Sequence, residues 1–235
     1  MEKKYKLTDE TINLCGKKLC RIKALKDFED VKKGDKGGFI EDEHNLSHDG
    51  NSWVDGNAWV YGNACVYGGA RVYGGARVYG NAMVYGGARV YGNAWVYGNA
   101  KVYGDACVYG NACVYGDACV CSNAMVYGNA MVYGNAWVCG NAMVYCDACV
   151  YGNAWVCGNI KIENNFDYIV FKNWWSSGRY FTWTRSNDMW KVGCFYGTGE
   201  ELIKKAYKDS ELSGRQYERI VKYVEEIKKE NGKEI

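Results

Sequence analysis

The sequence contains no proline, no excess of either charge and no long apolar run. Its 29 Lys and Arg face 27 Asp and Glu, a balance that implies no polyanion and no anionic membrane as partner, although local patches can form. No segment approaches the roughly 18 to 20 apolar residues of a membrane span, so no membrane partner is expected. Residues 1–14 lack an apolar stretch of signal-peptide length, and the expected location is cytoplasmic. Histidine is nearly missing as well, with only His44 and His48.

What is present is biased: 30 Gly, 21 Tyr and 12 Cys, a composition that marks repeated sequence. Most cysteines recur at multiples of one spacing, as interchangeable occupants of one or two positions in a unit. They are therefore expected to be reduced thiols and not a disulfide framework.

From Ser52 to Val156 a six-residue unit, Ala-x-Val-Tyr-Gly-Asn, repeats about eighteen times without a gap. Ala and Val stand two apart, so the period of a strand puts both on one face, the inside. Gly followed by Asn, Gly or Asp supplies the residue types that tolerate positive φ, and these must be corners. A corner every six residues excludes a helix, and it is too frequent for antiparallel hairpins to keep Val and Ala inside throughout. The chain must coil, with three sides per turn and identical positions stacked every eighteen residues about 4.8 Å apart. The expected fold is mainly β: a parallel triangular β-helix of about six coils over 51–162, with an N-terminal cap (1–50) and a small C-terminal α+β unit (163–235).

The small-x-aliphatic register resembles the hexapeptide-repeat, left-handed β-helix superfamily, and left-handedness is what that resemblance implies. The departure is Tyr after the aliphatic residue, where those acyltransferases favour a small one. A closer resemblance covers the cap, where Ala24-Leu25-Lys26-Asp27-Phe28-Glu29-Asp30-Val31-Lys32 and Gly37-Gly38-Phe39 lead to Asn45-Leu46-Ser47, Gly50 and Trp53. That combination is similar to the YdcK-type transferases and related phage-type solenoids, and with the repeats it spans roughly two thirds of the chain.

Both ends of a solenoid need caps. In residues 1–50, Lys18 to Ile22 reads as a strand and Gly34 to Gly38 as a turn. Residues 166–196 read as three antiparallel strands separated by Ser-Ser-Gly and Ser-Asn-Asp turns. Thr198 with Glu201 and Ser213 with Gln216 read as capping boxes opening two amphipathic helices.

The candidate sites lie outside the core. On the third face of the prism the tyrosine column gives way to Cys121, Cys139 and Cys157 where Trp137 and Trp155 appear, and small beside large suggests a docking groove. Cys119, Cys121 and Cys139 share that face, but no fourth metal ligand is evident. Stacked neighbours near 4.8 Å sit slightly beyond disulfide Cβ separation, so small-hydrophobe packing is expected there. In the tail, Trp174, Trp175, Arg179, Trp183 and Arg185 suggest a recognition surface. Arg71, Arg77 and Arg89, flanked by Tyr73 and Tyr91, form a basic patch able to hold a phosphate and stack a base. Hexapeptide acyltransferases use a His base, and the related carbonic anhydrases bind zinc through three His, yet no repeat here carries one. His44 and His48 read as solvated loop residues. No cofactor or metal is expected.

The sequence therefore predicts a non-catalytic interaction scaffold that binds a protein partner, a second copy of itself included. The resemblance to phage-type solenoids implies a host-directed binder or inhibitor. An acyltransferase-like enzyme and a nucleotide-binding protein using the Arg/Tyr patch are the alternatives.

Overall fold

The computed structural model describes residues 2–14 and 16–231. The chain divides into two compact units, Met1–Asn165 and Phe166–Ile235.

In the first unit each hexapeptide contributes one two-residue strand, and strands eighteen residues apart pair in parallel: Arg89 with Arg71 and Cys107, Trp95 with Arg77 and Cys113, Lys101 with Met83 and Cys119. Up to three hydrogen bonds per unit climb to the next coil, as from Arg89 N to Ala106 O (2.9 Å), Tyr91 N to Val108 O (3.0 Å) and Asn93 N to Gly110 O (2.8 Å). Every Ala and Val of the repeat is buried, with Ser52 in the first Ala position and Ile160 and Ile162 ending the columns.

The corners need glycine for two reasons. Gly98 has φ +71°, a left-handed conformation, and a Cβ added to it would lie 3.0 Å from the backbone nitrogen of Gly116 on the next coil. Ser122 (φ 60°) and Cys146 (φ 55°) occupy that corner position without being glycine.

The solenoid is longer than the repeat. Seven parallel strands stack on the first face, from Trp53–Val54 to Lys161–Ile162. On the second face, Lys36–Ile40 precedes six repeat strands and pairs in parallel with Trp59–Val60. On the third, Leu46 bridges to Val66 ahead of six strands. The array thus has seven turns, not six, because Phe39-Ile40 and Leu46 fill rungs without carrying the motif.

The cap is a hairpin, Tyr5–Leu14 with Lys17–Ala24, whose second strand pairs antiparallel with Lys36–Ile40. It extends the second face and covers its first edge. Gly37 and Gly38 are therefore strand residues and not the end of a turn: a Cβ on Gly37 would stand 2.5 Å from Val54 O and 2.6 Å from Ile22 Cγ1. Only a bare backbone fits between cap and coil.

The second unit has four antiparallel strands, Tyr168–Lys172, Tyr180–Thr184, Met189–Val192 and Phe195–Gly197, where three were expected. A tight turn at Gly193 (φ 56°) and Cys194 splits the last into a hairpin. Helix α1 (Gly199–Asp209) opens with the expected Thr198/Glu201 capping box. Helix α2 (Glu211–Asn231) begins before Ser213, because Ser210 Oγ accepts from Ser213 N at 3.1 Å and is the cap itself. Phe181, Trp183, Trp190, Leu202, Tyr217 and Val224 form the core between sheet and helices. No described helix is long and apolar enough to cross a membrane.

Candidate functional site

The groove beside the cap on the first face contains most of the expected basic patch. It has a volume of about 600 Å³. Its floor is open because the corner column reads Asn51, Gly69, Gly87, Asp105, so two successive coils lack a side chain there. Elsewhere that position forms side-chain ladders, as from Asn81 to Asn99 (3.0 Å) and from Asn99 to Asp117 (2.9 Å).

Arg71 and Arg89 are neighbours in register on this face. Arg71 is spent on the cap. Phe28 and Val31 close a tight turn by reciprocal hydrogen bonds, with Glu29 in the left-handed region (φ 46°). This turn lays Glu29 and Asp30 on the Arg71 guanidinium, with Nη2 donating to Glu29 Oε2 at 2.7 Å and to Asp30 Oδ1. Asn51 Nδ2 donates to the other Glu29 oxygen at 2.8 Å. The Arg71 hydrogen bond, then that from Asn51, holds the Glu29 carboxyl below its usual range. Arg89 has no acidic partner among the described residues. The lining holds Glu29, Asp30, Asp55 and Asp105 against two guanidinium groups, a balance unsuited to a polyphosphate.

Arg77 is on the second face, sandwiched between Trp59 (4.4 Å) and Trp95 (4.9 Å). The three arginines thus divide between two faces, because positions six apart turn a corner while positions eighteen apart stack.

Tyrosine ladders run along the faces. Tyr73 lies over Tyr91 at 4.8 Å and 1° between planes, Tyr91 over Tyr109 at 4.9 Å, and Tyr79 over Tyr97 at 4.9 Å. Burial pushes the Tyr73, Tyr91 and Tyr97 phenols up.

Residues 76–92, 88–104 and 124–140 match the family described as the YdcK β-solenoid repeat. The chain is a YdcK-like solenoid protein. No curated protein matches it significantly.

On the third face of this YdcK-like solenoid, Cys139 and Cys157 form a disulfide with Cα atoms 4.6 Å apart. This corrects the expectation of reduced thiols at that pair: 4.6 Å falls inside the Cα range of disulfides, and adjacent rungs bring the side chains together. Cys121, one rung earlier, and Cys119 are buried free thiols. Trp137 is exposed, and Trp155 lies against it with centroids 5.7 Å apart.

The tail residues separate by burial. Trp183 is 2 % exposed and donates its indole N–H to Asp188 Oδ1 at 2.8 Å, so it is core and not recognition surface. Trp175 packs edge-on against Tyr217 at 4.9 Å. Trp174, Arg179 and Arg185 stay exposed. Composition marked this segment as aromatic but could not divide inside from outside, since no strand register was known.

The two histidines differ: His44 is exposed, whereas His48 is largely covered by the cap. His48 stacks on Tyr5 at 4.3 Å and its Nδ1 accepts from Lys4 N at 3.2 Å, while His44 Nε2 meets Gly62 O at 2.8 Å. Both are engaged in the cap. Lys4, which no motif flagged, is buried under the cap with Nζ donating to Ser52 O at 2.7 Å. Burial first, and then Arg71, bring its pKa down to about 8.

Proposed function

We propose that this protein is a non-catalytic binding scaffold whose rigid aromatic faces dock a protein partner, a second copy of the chain among them. The observation that carries this reading is the set of continuous tyrosine ladders, with rings 4.8–5.4 Å apart and planes within 11° of parallel. Each ring is held by its neighbours before any partner arrives. Docking on such a surface loses little side-chain entropy, and tyrosine is the residue type that supplies much contact area for few rotatable bonds. Exposed Trp95 and Trp137 add apolar area to the second and third faces.

The proposed location is the cytoplasm, in keeping with nine free cysteines among the described residues against one bonded pair. A host-directed role of the phage type is the biological setting this reading favours. The acyltransferase reading has less support, since both histidines are engaged in the cap. The nucleotide reading has less as well, since carboxylates outnumber cations in the groove.

Light scattering across a concentration series, together with affinity purification from the native host and mass spectrometry, tests the proposal. The wild type is expected to self-associate or retain a defined protein. Tyr97→Glu with Tyr115→Glu on the second face, or Tyr109→Glu with Tyr127→Glu on the first, is expected to abolish the contact while circular dichroism stays unchanged. A strict monomer that retains no protein at any concentration refutes it.

A further inference from the structure

The C-terminal unit carries a second, open cavity of about 500 Å³, with exposed Arg179 and Lys205 of α1 at its rim, buried Asn173 and Tyr217 of α2 in its lining, and Val192 and Phe195 as an apolar wall. From its chemistry we infer a binding site for a small organic phosphate, a phosphate monoester dianion carrying an apolar body.

The first observation is a buried hydroxyl with a proton to give. Tyr217 is 7 % exposed, and its oxygen accepts a hydrogen bond from Asn173 Nδ2 at 3.1 Å. Asn173, 4 % exposed, is committed at its other end, where Oδ1 accepts from Ser176 N at 2.9 Å and Ser176 Oγ at 3.0 Å. With its acceptor side occupied by Asn173, the Tyr217 hydroxyl hydrogen has no acceptor among the described residues. A buried donor left unmade costs the desolvation of that group, so an acceptor in the cavity is favoured. Burial, against the opposing effect of the Asn173 hydrogen bond, pushes the Tyr217 phenol up, and it remains a donor at neutral pH.

The second observation is charge. Arg179 and Lys205 both line the cavity, the lining contains no carboxylate, and neither cation has an acidic partner among the described residues. The groove beside the cap differs, since Arg71 there is neutralised by Glu29 and Asp30 and its lining holds four carboxylates against two guanidinium groups. The Arg179 guanidinium approaches the turn glycine, where a Cβ on Gly193 would stand 3.8 Å from Nη1.

Guanidinium, ammonium and phenol are all donors, so the complementary group is acceptor-only. Two uncompensated cations call for two negative charges on it, which a phosphate monoester carries near pH 7 and a single carboxylate does not. A bare phosphate would leave Val192 and Phe195 uncovered, and the cavity has room for an organic body against them.

Isothermal titration of the full chain with phenyl phosphate, inorganic phosphate and succinate tests this. Phenyl phosphate is expected to bind saturably, at least about tenfold tighter than either of the others. Arg179→Ala and Lys205→Ala are each expected to weaken it by about tenfold, the usual size of one charge-assisted contact. Tyr217→Phe, which keeps the ring in the core, should weaken it several-fold, and Lys204→Ala, a neighbouring exposed lysine outside the lining, should leave it unchanged. Arg179→Ala, Lys205→Ala and Lys204→Ala are expected to keep the wild-type melting profile, while Tyr217→Phe, which leaves the buried Asn173 Nδ2 without its acceptor, is expected to stay folded and melt lower. Absence of saturable phenyl phosphate binding, or binding that survives Arg179→Ala with Lys205→Ala, overturns the site. Succinate binding as tightly as phenyl phosphate overturns the phosphate assignment, and inorganic phosphate doing so overturns the organic body.

Discussion

Replacing Cys157 with serine removes the covalent tie between the last two rungs of the third face. The bond closes a loop of 18 residues, the length of one coil. Loop-closure entropy for that length amounts to about 3 kcal/mol at 25 °C. Coils contact only their neighbours, so this loss is local and should not spread along the array. The two rungs are otherwise joined by the parallel pairing of Trp137–Gly140 with Trp155–Gly158. At about 1.4 kcal/mol per factor of ten, amides over 138–158 should exchange about 100-fold faster in Cys157→Ser, or after reduction of the wild type. Amides over 83–102 should keep their rates. Hydrogen exchange read by mass spectrometry, with Cys121→Ser as a control that leaves the bond intact, measures both regions at once. Equal acceleration in both regions would refute the nearest-neighbour reasoning, and no acceleration in either would refute the estimate of what the bond contributes.

Three further outcomes are expected. Gly37→Ala should destabilise the cap by about 2–3 kcal/mol, the cost of overpacking, because the new methyl meets Val54 O at 2.5 Å; urea denaturation measures it. Ser122→Gly and Cys146→Gly should each stabilise by up to about 1 kcal/mol, since both relieve a left-handed corner, and a rise in Tm reports it. Burial raises the phenols of Tyr97 and Tyr109 above their unfolded value, so their contribution is complete below about pH 10 and is lost as pH rises through the folded values. The urea midpoint should therefore fall between pH 9 and pH 11, and fall less in Tyr97→Phe with Tyr109→Phe.

The coil was legible in the sequence because every unit solves the same local problem: Val and Ala inside, a glycine at positive φ at the corner. Its first turn was not, since Phe39, Ile40 and Leu46 reach the same stacking positions without the six-residue spacing, although Gly50 forms a left-handed corner over Gly68. The fate of Arg71 was also hidden, because its partners Glu29 and Asp30 lie 42 and 41 residues upstream and only the cap turn brings them near. The disulfide is not legible in the repeat spacing, because Cα atoms at 4.6 Å let the side chains close a gap that the rung spacing alone leaves open. The C-terminal cavity had no sequence signature at all. Its lining runs from Asn173 to Tyr217 with no short motif, and Arg179 read there only as part of an aromatic surface.

The uniform eighteen-residue rise makes the first unit a gauge. Removing or adding one coil within the tyrosine-bearing stretch would move the cap groove and the final rung together or apart by about 4.8 Å, leaving the Ala, Val and Tyr columns continuous. Length in this protein is therefore adjustable in fixed steps, and the spacing between whatever each end grips could be reset by duplicating a coil, with no new interior to design.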